Sequence, residues 1–157
     1  MVSEKKQEFT RRICCANPTQ MIVILYDMTL CYLEDAEEAL KESHPEAFGT
    51  AIGRARGCLR ELTDSLHLEY DPAPAMLQLY RYCIRRLGAS EARGDAVYFG
   101  EIRNILEPLR DAYAQLAQDL PAAPVMENTQ SVYVGLTYGK RDLKEDLIGA
   151  PNRGFRV

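Results

Sequence analysis

Few residues in this chain are equipped for chemistry: two histidines and five cysteines. A di-iron site in a helical protein needs inward Glu-x-x-His pairs, and neither His44 nor His67 has a glutamate three residues before it. No CxxCH haem-attachment motif occurs, and two histidines with no CxxC pair supply a zinc site poorly. His44 falls at a helix start and His67 near a helix end, both solvent-facing positions. Cys14-Cys15 is a vicinal pair ahead of a helix N-terminus, where the dipole can lower a thiol pKa. With no histidine nearby in sequence, no glycine-rich elbow and no oxyanion signature, the pair reads as small apolar filler in a docked segment. Cys31, Cys58 and Cys83 lie on or beside apolar seams and read as core. Glu34, Asp35, Glu37 and Glu38 are adjacent carboxylates of the kind that form a solvated helix face. No glycine loop suited to phosphate is present. The expectation is a protein without catalytic residues, metal or cofactor.

The chain that would position such residues has 157 of them, 46% hydrophobic and 27% charged, which suits one domain with its own core. A net charge of −4 argues against nucleic acid, whose phosphates call for a basic face. Five cysteines is an odd number without framework spacing, so they read as reduced thiols. The N-terminal stretch MVSEKKQEFTRR is charged throughout and lacks a signal peptide's apolar run. The longest apolar stretch, Met21 to Leu33, is interrupted by Asp27 and is too short to cross a bilayer. A soluble, cytoplasmic protein with no membrane insertion is therefore predicted.

Four long helical segments follow from the punctuation. Asn17-Pro18-Thr19-Gln20 combines a capping residue, a proline at the first helical position and a glutamine placed to reach back to the Asn17 amide. A helix then runs to about Lys41. Ser43-His44-Pro45 opens a second helix lasting to about Tyr70, with Phe48, Ile52, Ala55, Leu59, Leu62 and Leu66 on its seam. Asp71-Pro72-Ala73-Pro74 breaks the chain before a third helix carrying Met76, Leu77, Tyr80, Cys83, Ile84 and Leu87. After Gly94-Asp95 a fourth carries Tyr98, Ile102, Ile105, Leu109, Ala112 and Leu116, with a kink expected at Pro108. The fold class expected is all-α: an antiparallel up-down four-helix bundle with a short N-terminal helical element and an extended C-terminal tail. The corresponding division is 1–16 as N-terminal segment, 17–120 as bundle, and 121–157 as linker and tail.

Two features exceed what a small bundle needs. From Met21 to Leu33 the first long helix is apolar nearly all round, so the N-terminal segment, the tail or another chain must cover it. On the second helix Gly49, Gly53 and Gly57 recur every four residues, each costing about 0.5–1 kcal/mol against alanine. Two readings of that stripe stand side by side: a close approach by a partner helix or docked segment, and drift on an exposed face.

Four stretches in series are similar to the flagellar secretion chaperone FliS family. They are ANPTQMIVILYD at 16–27, ELTDSLHLEY at 61–70, LYRYCIRRL at 79–87 and LRDAY at 109–113. The resemblance covers about residues 9–118. Departures from the family pattern are His67 at an acidic position, Asp71-Pro72-Ala73-Pro74 for a glycine-rich turn, Arg81 for an aspartate and Tyr113 for a tryptophan. The family's N-terminal tyrosine is best represented by Phe9, offset by one residue.

The resemblance implies a helical bundle that holds the disordered C-terminal segment of flagellin one-to-one in the cytosol and prevents polymerisation before export. It implies an apolar groove, here assigned to Ile22, Leu25, Tyr26 and Thr29 with Leu77, Tyr80 and Ile84, the glycine stripe being a second contact. It also implies a removable N-terminal cover, here Phe9, Ile13 and Cys14. Two readings are open for the tail, whose apolar residues concentrate between Ser131 and Gly139: docking back in competition with flagellin, and a solvated tail or export-apparatus contact. Other flagellar regulators are further candidate partners. The alternative outside this family is a structural or regulatory homodimeric bundle with a different protein partner.

Overall fold

The computed structural model describes residues 3–119, which lie in a compact unit spanning Met1–Pro121. The second unit, Ala122–Val157, and the expectations placed on it lie outside the described residues. Among those described, all regular structure is helical: α1 Ser3–Cys15, α2 Pro18–Lys41, α3 Pro45–Asp64, α4 Ala73–Arg93 and α5 Phe99–Asp119.

Local chemistry accounts for the boundaries. At the start of α2 the Gln20 amide donates to Asn17 Oδ1 at 2.8 Å and the Asn17 amide donates to Gln20 Oε1 at 3.0 Å, so two orphan donors are satisfied reciprocally. The α3 helix ends at Asp64, short of Tyr70. There Ser65 Oγ donates to the Leu62 carbonyl at 2.7 Å and the Leu66 amide turns onto the Thr63 carbonyl, a tighter turn that competes with helix continuation. Leu66 still packs on the core from this turn, which is why its helical spacing persists past the helix. Pro74 falls in the first turn of α4, where a proline's missing N–H is no loss. At the other end of α4, Gly94 takes the left-handed cap conformation at φ 69°. The α5 helix runs on through Pro108. Both Pro108 and Asn104 are exposed, so the carbonyl deprived of its donor is left to water.

The core gathers Leu33 of α2, Ile52, Leu59 and Leu62 of α3, Leu87 of α4, and Ile102 and Leu106 of α5, all essentially inaccessible. Phe48 stacks on Phe99 with ring centroids 6.4 Å apart. Most of the inter-helix packing falls on α2, which meets α3, α5 and α1; α3 packs on α4, and α4 lies against α5 by a narrow strip. A bidentate pair from Arg103 to Glu37, at 2.8 and 2.9 Å, ties α5 to α2. The Arg103 hydrogen bonds hold the Glu37 carboxyl below the usual carboxylate range. No described helix is long and apolar enough to cross a membrane.

The glycine stripe of α3 is bare. A Cβ added at Gly53 or Gly57 would meet nothing within 4 Å, and one at Gly49 would meet only Glu91 Oε1 at 3.9 Å. Neither position has a left-handed backbone, so the double substitution Gly53→Ala/Gly57→Ala is expected to stabilise the protein by about 1–2 kcal/mol. Urea denaturation followed by circular dichroism measures this. Destabilisation would mean that something occupies the stripe in solution.

Candidate functional site

The site is built around α2. Tyr26 and Leu33, seven residues apart, lie on one stripe and are fully buried by the core helices. Ile24 and Cys31, also seven apart, lie two positions earlier and hence about 200° round the helix. Yet they too are buried, at 3% and 7% exposure. A helix with buried stripes on opposite sides has neighbours on both, and α1 is among the helices that pack on α2.

The α1 helix holds its place by charge. Lys5 Nζ lies 3.1 Å from Glu34, and an Arg12 guanidinium nitrogen lies 2.7 Å from Asp27. Lys5 and Arg12 are seven residues apart, as are Asp27 and Glu34, so the two helices run past each other in opposite directions. The other Asp27 oxygen sits 3.9 Å from Arg110, which makes this carboxylate a junction of α1, α2 and α5. The hydrogen bond that Lys5 Nζ donates to the Glu34 carboxylate holds the exposed Lys5 ammonium above its ordinary pKa. Between the end of α1, α2 and α5 lies a depression of about 350 Å³, lined by Cys15, Val23, Ile24, Ala114 and Ala117 among others. No residue of α1 is buried. Lys5–Glu34 is an exposed pair and Arg12–Asp27 a partly buried one, so α1 is joined to α2 by charge at the surface.

The residues expected to form the cover divide accordingly. Phe9 is half-buried, with the Arg12 guanidinium 5.5 Å above its ring, whereas Ile13 and Cys14 are exposed. Cys14 and Cys15 form the last turn of α1, its carbonyl end, and not a segment facing a helix N-terminus. Glu34, expected on a solvated acidic face, instead pairs with Lys5, and Asp27 pairs with Arg12; two oppositely charged pairs at equal seven-residue spacing carry that signal in the sequence.

The expected groove divides as well. Ile22, Leu25 and Ile84 are half-buried against the core, and Leu77 is half-buried. Tyr26, Thr29 and Tyr80 are not on an open groove but in the interior, at 0%, 0% and 1% exposure. Physically, their polar atoms find partners inside. The Tyr26 and Tyr80 hydroxyls hydrogen-bond to each other, and Thr29 Oγ1 donates to the Leu25 carbonyl at 2.7 Å. Tyr26 also packs on Tyr113, centroids 5.9 Å apart. Burial raises the pKa of both Tyr26 and Tyr80 far above the ordinary phenol value, so both stay neutral.

No arrangement here is primed for covalent chemistry. Burial pushes the Cys58 thiol up to about 11 and the Cys83 thiol up to about 12, the reverse of an activated nucleophile. Among the described residues no three metal-ligating side chains converge. His44 is exposed beside Glu42 at 3.2 Å, and His67 lies in the connection between α3 and α4. What the geometry offers is an apolar helix, α2, with α1 ion-paired to it.

Comparison with known proteins identifies the fold's relatives. The family model described as "Flagellar protein FliS" matches residues 1–120. The chain belongs to the FliS family. A curated FliS, the "Flagellar secretion chaperone FliS" of Bacillus subtilis (strain 168), is 24% identical over 103 residues, covering 66% of this chain and 77% of its own. Membership of this FliS group makes the chain a flagellar secretion chaperone. The match spans α1 to α5.

Proposed function

We propose that this chain is a non-enzymatic, cytoplasmic export chaperone that binds the disordered C-terminal segment of flagellin one-to-one. In this reading it prevents premature polymerisation and aids delivery to the flagellar export apparatus. The long helices α2 to α5 form an antiparallel up-down four-helix bundle, and α1 occupies part of the client's surface until the client arrives. The observation that carries the reading is that α1 is ion-paired to the apolar helix α2 while none of its own residues is buried. A client segment that folds into an amphipathic helix can displace α1 as a lid and bury the Ile24–Cys31 stripe more completely. The half-buried Ile22, Leu25, Leu77 and Ile84, and the bare Gly49–Gly53–Gly57 stripe, are the proposed flanking contacts.

Calorimetric titration with the C-terminal flagellin segment from the same source tests this. The expected result is a one-to-one endpoint with large favourable enthalpy and a negative heat-capacity change, as for coupled folding with apolar burial. An absence of binding by calorimetry and by a second, label-based assay would remove flagellin as client.

A further inference from the structure

In a chain of net charge −4, α4 carries Arg81, Arg85, Arg86 and Arg93 against the single carboxylate Glu91. Two of these arginines are already engaged at other surfaces. Arg86 sits between the rings of Tyr82 and Tyr98, 4.8 and 4.5 Å from their centroids, and pairs with Glu101 at 3.6 Å. Arg93 pairs with Asp95 at 2.7 Å. Arg81 and Arg85 differ. Both are exposed, and neither has an ion pair among the described residues. They are one turn apart on the same outward stripe as the exposed Gln78, which places their Cβ atoms about 5–6 Å from each other. The nearby carboxylates are committed: Glu91 to Arg56 at 3.1 Å, and Glu101 to Arg86 and to the Tyr82 hydroxyl. Arg85 is steadied from beneath by the Tyr82 ring, 6.0 Å from its guanidinium, and that ring is itself fixed by Glu101 and Arg86. This gives two planar forks on a rigid helix, one of them on an aromatic platform, with nothing of opposite charge to bind within the described chain.

We infer that the outward face of α4, through Arg81 and Arg85, docks an acidic helical segment of a partner protein, with carboxylates one turn apart meeting the two guanidinium groups. Charge complementarity selects the partner, since guanidinium forks match carboxylates bidentately and this face contains no carboxylate of its own. The face belongs to a helix that does not pack on α1, so the proposal does not depend on the lid or on the identity of the client.

The test is fluorescence anisotropy of the full-length chain with a labelled helical peptide bearing glutamates at successive i, i+4 positions, at low ionic strength. A glutamine copy of the peptide and a single-stranded oligonucleotide serve as comparison probes. The glutamate peptide is expected to bind saturably, to weaken with added salt, and to lose about tenfold in affinity with Arg81→Glu/Arg85→Glu. Both positions are exposed, so circular dichroism of that variant should match the parent. Equal binding of glutamate and glutamine peptides, indifference to the double substitution, or no binding would overturn the proposal. Tighter binding of the oligonucleotide would overturn it in favour of a phosphate backbone.

Discussion

Tyr80→Ala is expected to lower stability by about 3–5 kcal/mol, the range for removing a large aromatic side chain from a core. The ring is 1% exposed, and its hydroxyl partners that of Tyr26, itself fully buried. Truncation would remove the ring's packing, open a cavity, and leave the Tyr26 hydroxyl unpaired away from water. Tyr80→Phe separates these effects. It keeps the ring and orphans one hydroxyl, and should cost about 1–3 kcal/mol. Adding Tyr26→Phe removes the orphan, so the double variant should recover part of that loss, a coupling that a double-mutant cycle reads directly. The chain has no tryptophan, so urea unfolding is best followed by circular dichroism. A Tyr80→Ala variant of parental stability that had lost only client binding would place Tyr80 on the surface after all.

Removing residues 1–16 should have the largest effect on binding. The truncation keeps the Asn17–Gln20 capping box, so α2 retains its own N-terminus. It removes the proposed lid from Ile24 and Cys31 and breaks the Lys5–Glu34 and Arg12–Asp27 pairs. A partly buried ion pair and a half-buried phenylalanine make α1 docking worth on the order of 1–2 kcal/mol. A site that is open only when α1 lifts has its affinity reduced to the open fraction, so deletion should tighten client binding about 5- to 30-fold. Thiol labelling reads the lid without any client. In the full chain the exposed Cys14 and Cys15 should react first. Cys31 should lag, because it is buried and because burial and the Asp35 charge raise its pKa. In the truncated protein Cys31 should label about tenfold faster or more. Unchanged Cys31 labelling would show that α1 does not cover that stripe. Faster labelling with unchanged flagellin affinity would keep the lid and detach it from the proposed client.

How far the sequence carried can be judged residue by residue. The capping box at Asn17, the helical seams of α3 and α5, and the surplus of apolar residues on α2 were all legible, because each depends on neighbours within a turn or two. The end of α3 was misjudged, since Leu66 keeps the helical spacing while Ser65 diverts the backbone hydrogen bonds. The N-terminal segment was expected to cover the groove. In the structure that segment is a helix paired to α2 through Lys5 and Arg12, with Ile13 and Cys14 exposed.

By itself, the sequence determined that the chain is helical, where its α2 begins, and that one helix carries more apolar surface than a single seam can use. Only the tertiary structure decided which residues of that helix are core. Periodicity states which residues share a face, and Tyr26 and Ile24 are equally apolar by that measure. What separates them is the number of helices that surround each face. That number is set by contacts far apart in the chain, such as Tyr26 with Tyr80 and Glu37 with Arg103, 54 and 66 residues away. No local pattern encodes those distances, and they are what places the Tyr26–Tyr80 pair in the core.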